Sequence, residues 1–232
     1  TNQLGSRNTA VGTNSLHIAN PASAANTYNT AFGYDAGYAV TTGQYNTLIG
    51  AQAGDSITTG GSNVAVGYFA LSTEDGHGLN VAVGNRALAN QNAGANAYNT
   101  AVGNDAGYAV TTGIQNTLIG GLAGDALQDA DNNIAIGYQA LTSDTLGSQS
   151  VAIGDRALAN QNFTSATDSL NTAVGYAAGI SVTTGTANTF LGNVSGSSVT
   201  TGANNTFVGG LAGDAAQTVS FSSLFGQGIA CG

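Results

Sequence analysis

The sequence first excludes functions through the charged residues that it lacks. Among 232 residues there is no lysine, and three arginines stand against 12 carboxylates, which gives a formal net charge of −9. A surface with this charge has no basic patch for nucleic acid and is repelled by anionic membranes. We therefore expect neither a nucleic-acid partner nor a membrane partner.

Cysteine, tryptophan and methionine are equally scarce. Cys231 is the single cysteine, and tryptophan and methionine do not occur. One cysteine cannot form an intrachain disulfide framework or a cysteine-rich metal cluster. No signal peptide or long apolar run is visible, so no membrane span is expected. The missing initiator methionine predicts that the chain is part of a longer product.

Signatures of catalysis and of metal binding are also rare. The chain has no HExxH, P-loop or G-x-S-x-G phrase. Only one of its two histidines lies beside carboxylates, in the segment Glu74-Asp75-Gly76-His77. Such a group can bind a metal or transfer protons, but we interpret this single polar segment as a solvated turn. We expect no enzyme activity, no cofactor and no metal ligand.

One five-residue phrase, in contrast, is abundant, and its clearest copy reads NTAVG at 99–103. Thirteen copies cover the chain, and most closing glycines are 17 residues apart, with some steps of 19 or 21. A repeat this short cannot bury a core alone, so its copies must stack. Short β-branched runs that end in glycine predict strands. We predict an all-β parallel β-solenoid of about 13 coils, forming one domain over residues 1–232.

The first and last positions of the phrase are assigned structural roles. A stacked asparagine can hydrogen-bond to the asparagine of the next coil and to turn backbone groups. The closing glycine either takes a positive φ or lets neighbouring backbones approach closely. The residues predicted for these roles are Asn29, Gly33, Asn46, Gly50, Asn63, Gly67, Asn80, Gly84, Asn99, Gly103, Asn116, Gly120, Asn133 and Gly137.

The strands have apolar residues on both faces, although the chain encodes no second layer to cover them. Positions two and four of the phrase share one face, and position three lies on the other. The pattern leaves open which face points into the coil. Our hypothesis is that the third positions, such as Ala101 and Leu118, form a stripe that packs against identical chains.

A longer period groups the copies in fours, near 29–98, 99–170 and 171–232, and each group contains one long step. Extra residues in a solenoid form loops, and loops on a rigid scaffold often bind partners. Neutral bulges are the alternative. The candidate receptor-contact residues in these loops are Tyr28, Asn92, Asn96, Tyr98, Phe163 and Asp168.

The phrases NTAVGNDAGYAVTTG (99–113), NTLIGAQAG (46–54) and SVAIGDRALA (150–159) resemble two related groups of proteins. One is the β-roll head of trimeric autotransporter adhesins, and the other is the stalk repeats of bacteriophage tail fibres and related surface fibres. The resemblance covers the whole chain. It implies a left-handed β-roll, a parallel homotrimer and an extracellular location on a virion or a cell surface. The 17-residue coil departs from the adhesin pattern and favours the fibre group.

Three functions are compatible with these observations. The favoured one is a non-catalytic structural and adhesive fibre that attaches to a cell-surface glycan or protein. The alternative is a filament or matrix protein that assembles with itself, including end to end, without a specific receptor. A tailspike-like carbohydrate-active β-helix is a lesser alternative, because it needs clustered acids and the aspartates of this chain are mostly isolated.

Overall fold

A computed structural model describes residues 5–19, 25–215 and 217–229 of the chain. These residues form strands and turns and no helix, so none of them belongs to a helix that could cross a membrane. The chain divides into two compact units, Thr1–Gln115 and Asn116–Gly232. Each unit is a parallel β-solenoid, which confirms the predicted fold class. Cys231 lies outside the described residues.

The first unit contains a ladder of three-residue strands, one for each phrase, and a separate pair of two-residue strands. Its strands are β1 (Gly5–Ser6), β2 (Thr9–Val11), β3 (Ala25–Asn26), β4 (Thr30–Phe32), β5 (Thr47–Ile49), β6 (Val64–Val66), β7 (Val81–Val83) and β8 (Thr100–Val102). Strands β2, β4, β5, β6, β7 and β8 pair in this order, all parallel, and β1 pairs separately with β3. Their register places equivalent positions of the phrase side by side.

The second unit repeats this arrangement. Its strands are β9 (Thr117–Ile119), β10 (Ile134–Ile136), β11 (Gly147–Ser148), β12 (Val151–Ile153), β13 (Thr167–Asp168), β14 (Thr172–Val174), β15 (Thr189–Leu191), β16 (Thr206–Val208) and β17 (Ser223–Phe225). Strands β9, β10, β12, β14, β15, β16 and β17 form the parallel ladder, and β11 pairs with β13. The prediction of strands at the phrases is confirmed.

The interior of each coil takes the third position of the phrase, which corrects our hypothesis about the two faces. The middle residues of β4 to β10, β12 and β14 to β16 are fully buried, and Ala101 and Leu118 are among them. Positions two and four are partly or fully exposed, as Phe32 illustrates. A three-residue strand has one central side chain on one face and two on the other, and the narrow interior accepts the single one. The third positions therefore cannot form an interface between chains.

The interior balances large and small residues between two positions of each coil. One is the third position of the phrase, and the other is the corner, which is the residue four positions after the closing glycine. Leu48, a third-position residue, lies between Gly37 and Gly54, where an added Cβ would be 2.6 Å and 2.7 Å from its methyl groups. Two coils later the third position is Ala82, and the corner equivalent to Gly54 is the buried Leu88. Leu88 keeps a left-handed backbone, with φ of 49° against 56° for Gly54. The backbone at the corner therefore has the same conformation whether the residue is glycine or leucine.

This balance explains why the last group of coils departs from the four-coil pattern. In the earlier groups two glycine corners are followed by two leucine corners, as in Gly37, Gly54, Leu71 and Leu88. The last group has glycine at three successive corners, Gly179, Gly196 and Gly213. The buried rings of Phe190 and Phe207 lie 5.7 Å apart between their centroids. An added Cβ at Gly196 would overlap the first ring, and one at Gly213 the second. The aromatic rings fill the volume that leucine corners fill elsewhere.

The phrase asparagines form a buried ladder inside each unit, as predicted. The backbone N of Asn46 donates to Asn29 Oδ1 at 2.9 Å, and that of Asn63 donates to Asn46 Oδ1 at 3.0 Å. Most side-chain amides, though not that of Asn80, also donate to a turn carbonyl 14 residues further on, as Asn29 Nδ2 does to Gly43 O at 2.8 Å. In the second unit Asn133 bonds in the same way to Asn116 Oδ1, at 2.9 Å. The ladder satisfies polar groups that burial would otherwise leave unpaired.

The closing glycines have both of the properties predicted for them. Gly50 has φ of 130°, and an added Cβ there would overlap the carbonyl oxygen of Gly67 in the next coil. The Gly50 N–H donates to Phe32 O at 2.8 Å, so the same residue also links its coil to the preceding one. A side chain at this position would strain the backbone and separate the coils.

Replacing Gly209 by alanine should therefore destabilise the protein strongly. Gly209 has φ of 130° and faces the Gly226 carbonyl, so we expect a loss of about 3 kcal/mol from backbone strain and steric overlap. Gly210→Ala is the matched control, because Gly210 lacks a left-handed φ and its added Cβ would be 3.9 Å from the nearest atom. The control should change stability by less than about 0.5 kcal/mol. Chemical denaturation of both variants measures this, and equal losses would contradict the steric interpretation.

Candidate functional site

The first loop with a candidate receptor contact contains Tyr28, which is exposed. Its ring stacks on that of Tyr45 at 5.4 Å, and its hydroxyl accepts a hydrogen bond from Arg7 Nη1 at 2.5 Å. Residues 20–24 of this loop lie outside the described part of the chain. Tyr28 thus presents an aromatic surface whose orientation is held by two neighbours.

The second loop brings Asn92, Asn96 and Tyr98 together on one side of the first unit. The backbone N of Asn92 donates to Thr111 O at 2.8 Å, and Asn96 Oδ1 accepts from Gly78 N at 3.1 Å. Between these anchors Gly94 is exposed, and an added Cβ there would meet no atom within 4 Å. Tyr98 is also exposed. The loop is therefore fastened at both ends and free at its tip.

The third loop corrects one candidate. Phe163 is only 5% exposed, and its backbone N donates to Asp144 Oδ1 at 3.0 Å, so its side chain closes the coil interior and is withdrawn from any receptor. Asp168, at the end of β13, is exposed as predicted.

Tyr28 and Tyr98 lie four phrases apart in the first unit. The candidates therefore represent repeated positions along a surface and do not converge on one pocket.

A cleft of about 330 Å³ on the first unit was not predicted from the sequence. Its lining residues are Phe69, Ser72, Thr73, Arg86, Ala89, Asn90 and Tyr108. Arg86 Nε and Nη2 donate to the two carboxylate oxygens of Asp105 at 2.7 Å and 2.8 Å, and its guanidinium lies 4.8 Å from the centre of the Tyr108 ring. These hydrogen bonds from Arg86 to Asp105 raise the pKa of Arg86. Two of the seven lining residues of the cleft, Phe69 and Tyr108, are aromatic.

Buried polar residues recur at one position of the repeat, seven residues after the closing glycine. Coils with a glycine corner have an apolar residue there, such as Val40 or Ile57, whereas the coils with a leucine corner have a polar one, except the first coil, which combines Leu16 with Ala19. The polar residues are Glu74, Gln91, Asp144 and Gln161, and all four are fully buried. The sequence analysis missed this set, although the change from apolar to polar at a fixed position was visible. Its interpretation of Glu74 as part of a solvated turn is wrong, because the side chain points into the coil.

In the second unit this buried carboxylate is fully partnered. Asp144 Oδ1 accepts from the backbone N of Gly147 at 3.1 Å and of Phe163 at 3.0 Å. Asp144 Oδ2 accepts from Gln161 Nε2 at 2.6 Å, and Gln161 Oε1 accepts from Asn171 Nδ2 at 2.8 Å. The network joins adjacent coils, as a buried charge requires.

The equivalent group in the first unit is incompletely partnered. Glu74 Oε1 accepts from the backbone N of His77 at 3.2 Å, but Glu74 Oε2, His77 Nδ1, Asn80 Nδ2 and Gln91 Nε2 have no partner. Burial raises the pKa of Glu74. Ligand atoms of Glu74, Asp75 and His77 all lie within 4.8 Å of one another. The buried carboxylate at this repeat position therefore has all its hydrogen-bond partners in the second unit and lacks some of them in the first unit.

A second carboxylate of the first unit is perturbed by its surroundings. Asp55 is half-buried and its Oδ1 has no partner, and desolvation raises its pKa to about 6. Asp125 has the equivalent position in the second unit, where its Oδ1 accepts a hydrogen bond from Thr142 Oγ1 at 2.5 Å. The corresponding hydroxyl in the first unit, Ser72 Oγ, donates instead to Ala89 O at 3.1 Å. Asp55 therefore lacks the side-chain hydrogen bond that Asp125 accepts.

Replacing Asp55 by asparagine should remove a pH dependence of stability. The folded-state pKa of about 6 lies above the ordinary value of 3.8, so the folded protein retains the proton and stability falls as pH rises from about 4 through about 6. We expect Asp55→Asn to flatten this part of the profile and to stabilise the protein at pH 7 by roughly 1 kcal/mol, after discounting for partial exposure. Asp125→Asn is the control and should not stabilise. Denaturation from pH 4 to 8 measures both, and an unchanged slope in Asp55→Asn would contradict the assignment.

Neither a scan with protein-family models nor comparisons with curated proteins and with solved structures found a match for this chain. The resemblance to tail-fibre repeats and adhesin heads therefore stays a prediction that rests on the repeated phrases.

Proposed function

We propose that this chain is a non-catalytic structural and adhesive segment of an extracellular fibre, in which identical chains associate through the outer faces of their strand ladders. One observation carries the proposal. The residues at position four of successive strands form an apolar row that no other part of the same unit covers. Valine or isoleucine at position two widens this row in some strands, and threonine or serine takes position two in the others. The repeated phrases and their resemblance to fibre proteins support the same function.

The outer row is regular in both units. In the first unit it includes the exposed side chains of Phe32, Ile49 and Val102, and the intervening valines of β6 and β7 are partly exposed. In the second unit Ile119, Ile134 and Leu191 belong to it. Contiguous exposed apolar surface of this kind favours association. Because equivalent residues stack in register about 4.8 Å apart, a parallel copy would meet the same side chains at every coil.

The proposed number of chains is three, and a closed ring of parallel copies satisfies all the outer rows together. The resemblance to trimeric fibres and adhesin heads supports this number. In such an assembly the net charge of −9 per chain is kept away from the contact, because the outer row contains no charged residue. The strand face that makes the contact is the opposite of the one that the sequence analysis assigned.

Charges on the outer row should dissociate the assembly without unfolding the chain. We expect wild-type protein to have three times the chain mass of 22.7 kDa and the double variant Phe32→Asp/Ile49→Asp to be a folded monomer. Tyr34→Asp/Tyr68→Asp is the matched control, because these side chains are equally exposed but lie in turns, directly after the closing glycines. The control should stay trimeric. Light scattering with circular dichroism decides the question, and a monomeric wild type would refute the assembly.

The loops are the proposed attachment surface of this fibre. Tyr28 and Tyr98 are exposed aromatic residues in loop positions, and such rings stack on sugars as well as on protein side chains. Asn96 and the exposed tip at Gly94 lie beside Tyr98 along the chain. A trimer displays each loop three times, so weak contacts with a surface glycan or protein add up to firm attachment. A filament without a receptor remains the alternative that an experiment must separate.

Shortening the second loop should abolish attachment and spare the fold. The loop is two residues longer than its 17-residue counterparts, so deleting Gly94 and Ala95 restores the common length and retains the anchors at Asn92 and Asn96. Removing all of 92–96 would destroy both anchoring hydrogen bonds. We expect the two-residue deletion combined with Tyr98→Ser to stay trimeric and to bind glycan and cell-surface-protein arrays at least tenfold more weakly than wild type. Equal binding, or a wild-type trimer that binds neither array, would favour the filament without a receptor.

A further inference from the structure

The turn between β6 and β7 brings together three side chains that are able to bind a metal ion. Glu74, Asp75 and His77 each offer a ligand atom within 4.8 Å of the others, and Glu74 Oε1 lies 3.9 Å from His77 Nδ1. Bonds of about 2.0–2.2 Å to zinc place neighbouring ligand atoms roughly 3–4 Å apart. Small side-chain rotations are therefore enough to give all three a common ion.

An independent observation indicates that this cluster is made for a ligand. Glu74 is fully buried, and its Oε2 has no hydrogen-bond partner. His77 Nδ1, on the same turn, is likewise buried and without a partner. A buried carboxylate oxygen without a partner is costly, and a cation is the ligand that satisfies it together with a neutral imidazole nitrogen.

The second unit shows what this repeat position looks like when the protein itself supplies the partners. Asp144 replaces Glu74 there, and two backbone N–H groups and Gln161 saturate its carboxylate. Its turn, at 145–149, contains no histidine and no second acid. The unpartnered buried carboxylate oxygen and the potential metal ligands therefore occur together in this turn of the first unit. Neither occurs in the equivalent turn of the second unit.

We propose that Glu74, Asp75 and His77 bind one divalent cation of the zinc type. Imidazole suits zinc and its neighbours among the transition metals, whereas calcium and magnesium prefer sites made of oxygen alone. Glu74 supplies a buried carboxylate, His77 supplies Nδ1, and the exposed Asp75 completes the set on the solvent side, where water takes the remaining position. This site goes beyond the proposed fibre function and replaces our expectation of a chain without metal ligands.

The bound ion would fasten the turn to the asparagine ladder. The carbonyl oxygen of His77 accepts a hydrogen bond from Asn63 Nδ2 at 3.3 Å, and the backbone N of His77 donates to Glu74. An ion that joins Glu74 and His77 therefore fixes the carbonyl that caps the ladder of the preceding coil. The expected consequence is a metal-dependent rise in the melting temperature.

The test uses tag-free full-length protein in a Cys231→Ser background, because a thiol also binds zinc. After treatment with EDTA, titration with Co²⁺ should produce a visible d–d spectrum that saturates at one ion per chain, and Zn²⁺ should displace it and raise the melting temperature. His77→Asn should weaken binding at least tenfold. His17→Asn is the matched control, since His17 stacks on Tyr38 away from this turn, and it should bind as wild type does.

Glu74→Gln separates metal binding from folding. Because it replaces a buried carboxylate whose Oε2 has no partner, we expect it to melt at or above the temperature of the metal-free parent and to give no Co²⁺ spectrum. Absence of stoichiometric Co²⁺ binding in the parent would overturn the proposal. Binding that persists in His77→Asn, or that Ca²⁺ competes for as well as Zn²⁺ does, would overturn the assigned ligands.

Discussion

The close approach of successive coils at the closing glycines is the constraint on which the rest of the structure depends. At the closing glycines from Gly12 to Gly84 and from Gly120 to Gly209, a carbonyl of the next coil occupies the space that a Cβ would need, as between Gly50 and Gly67. The asparagine ladder runs beside it and ties neighbouring coils through side chain and backbone alike. Because every coil bonds chiefly to the coils before and after it, a change in one coil affects only the adjacent coils. This locality explains how turns as different as 92–98 and 75–79 fit the same ladder.

The narrow interior imposes the second constraint, which is constant volume. Third-position and corner residues compensate one another, whether as Leu48 with two glycines or as Ala82 with Leu88. The same interior accepts polar residues at one further position, seven residues after the closing glycine, provided that hydrogen bonds satisfy them. Asp144 meets that condition and Glu74 does not. An unsatisfied buried group in an otherwise saturated repeat is a reason to look for a ligand.

The outside of the coil is where function is proposed, and it divides into surfaces with different chemistry. The ladder face presents an uncharged apolar row, the loops present tyrosine and asparagine, and one turn presents Asp75 and His77 next to the buried Glu74. Each surface is placed by the same rigid repeat, so that assembly, attachment and ion binding can coexist without sharing residues. A fibre that assembles through one face and binds through another needs such a separation.

The sequence by itself determined the fold class, the position of each three-residue strand and the roles of the phrase asparagines and glycines, but not the two-residue strands β1, β3, β11 and β13. It could do so because a repeated phrase reports the same local geometry thirteen times. Only the tertiary structure decided which strand face is interior, because alternation separates two faces without stating which of them the coil encloses. It also decided that Phe163 and Glu74 are buried, since their turns read as polar and exposed until the path of the coil folds those side chains inward. Contacts such as Arg86 with Asp105 join residues 19 positions apart, and their geometry depends on how adjacent coils align in space.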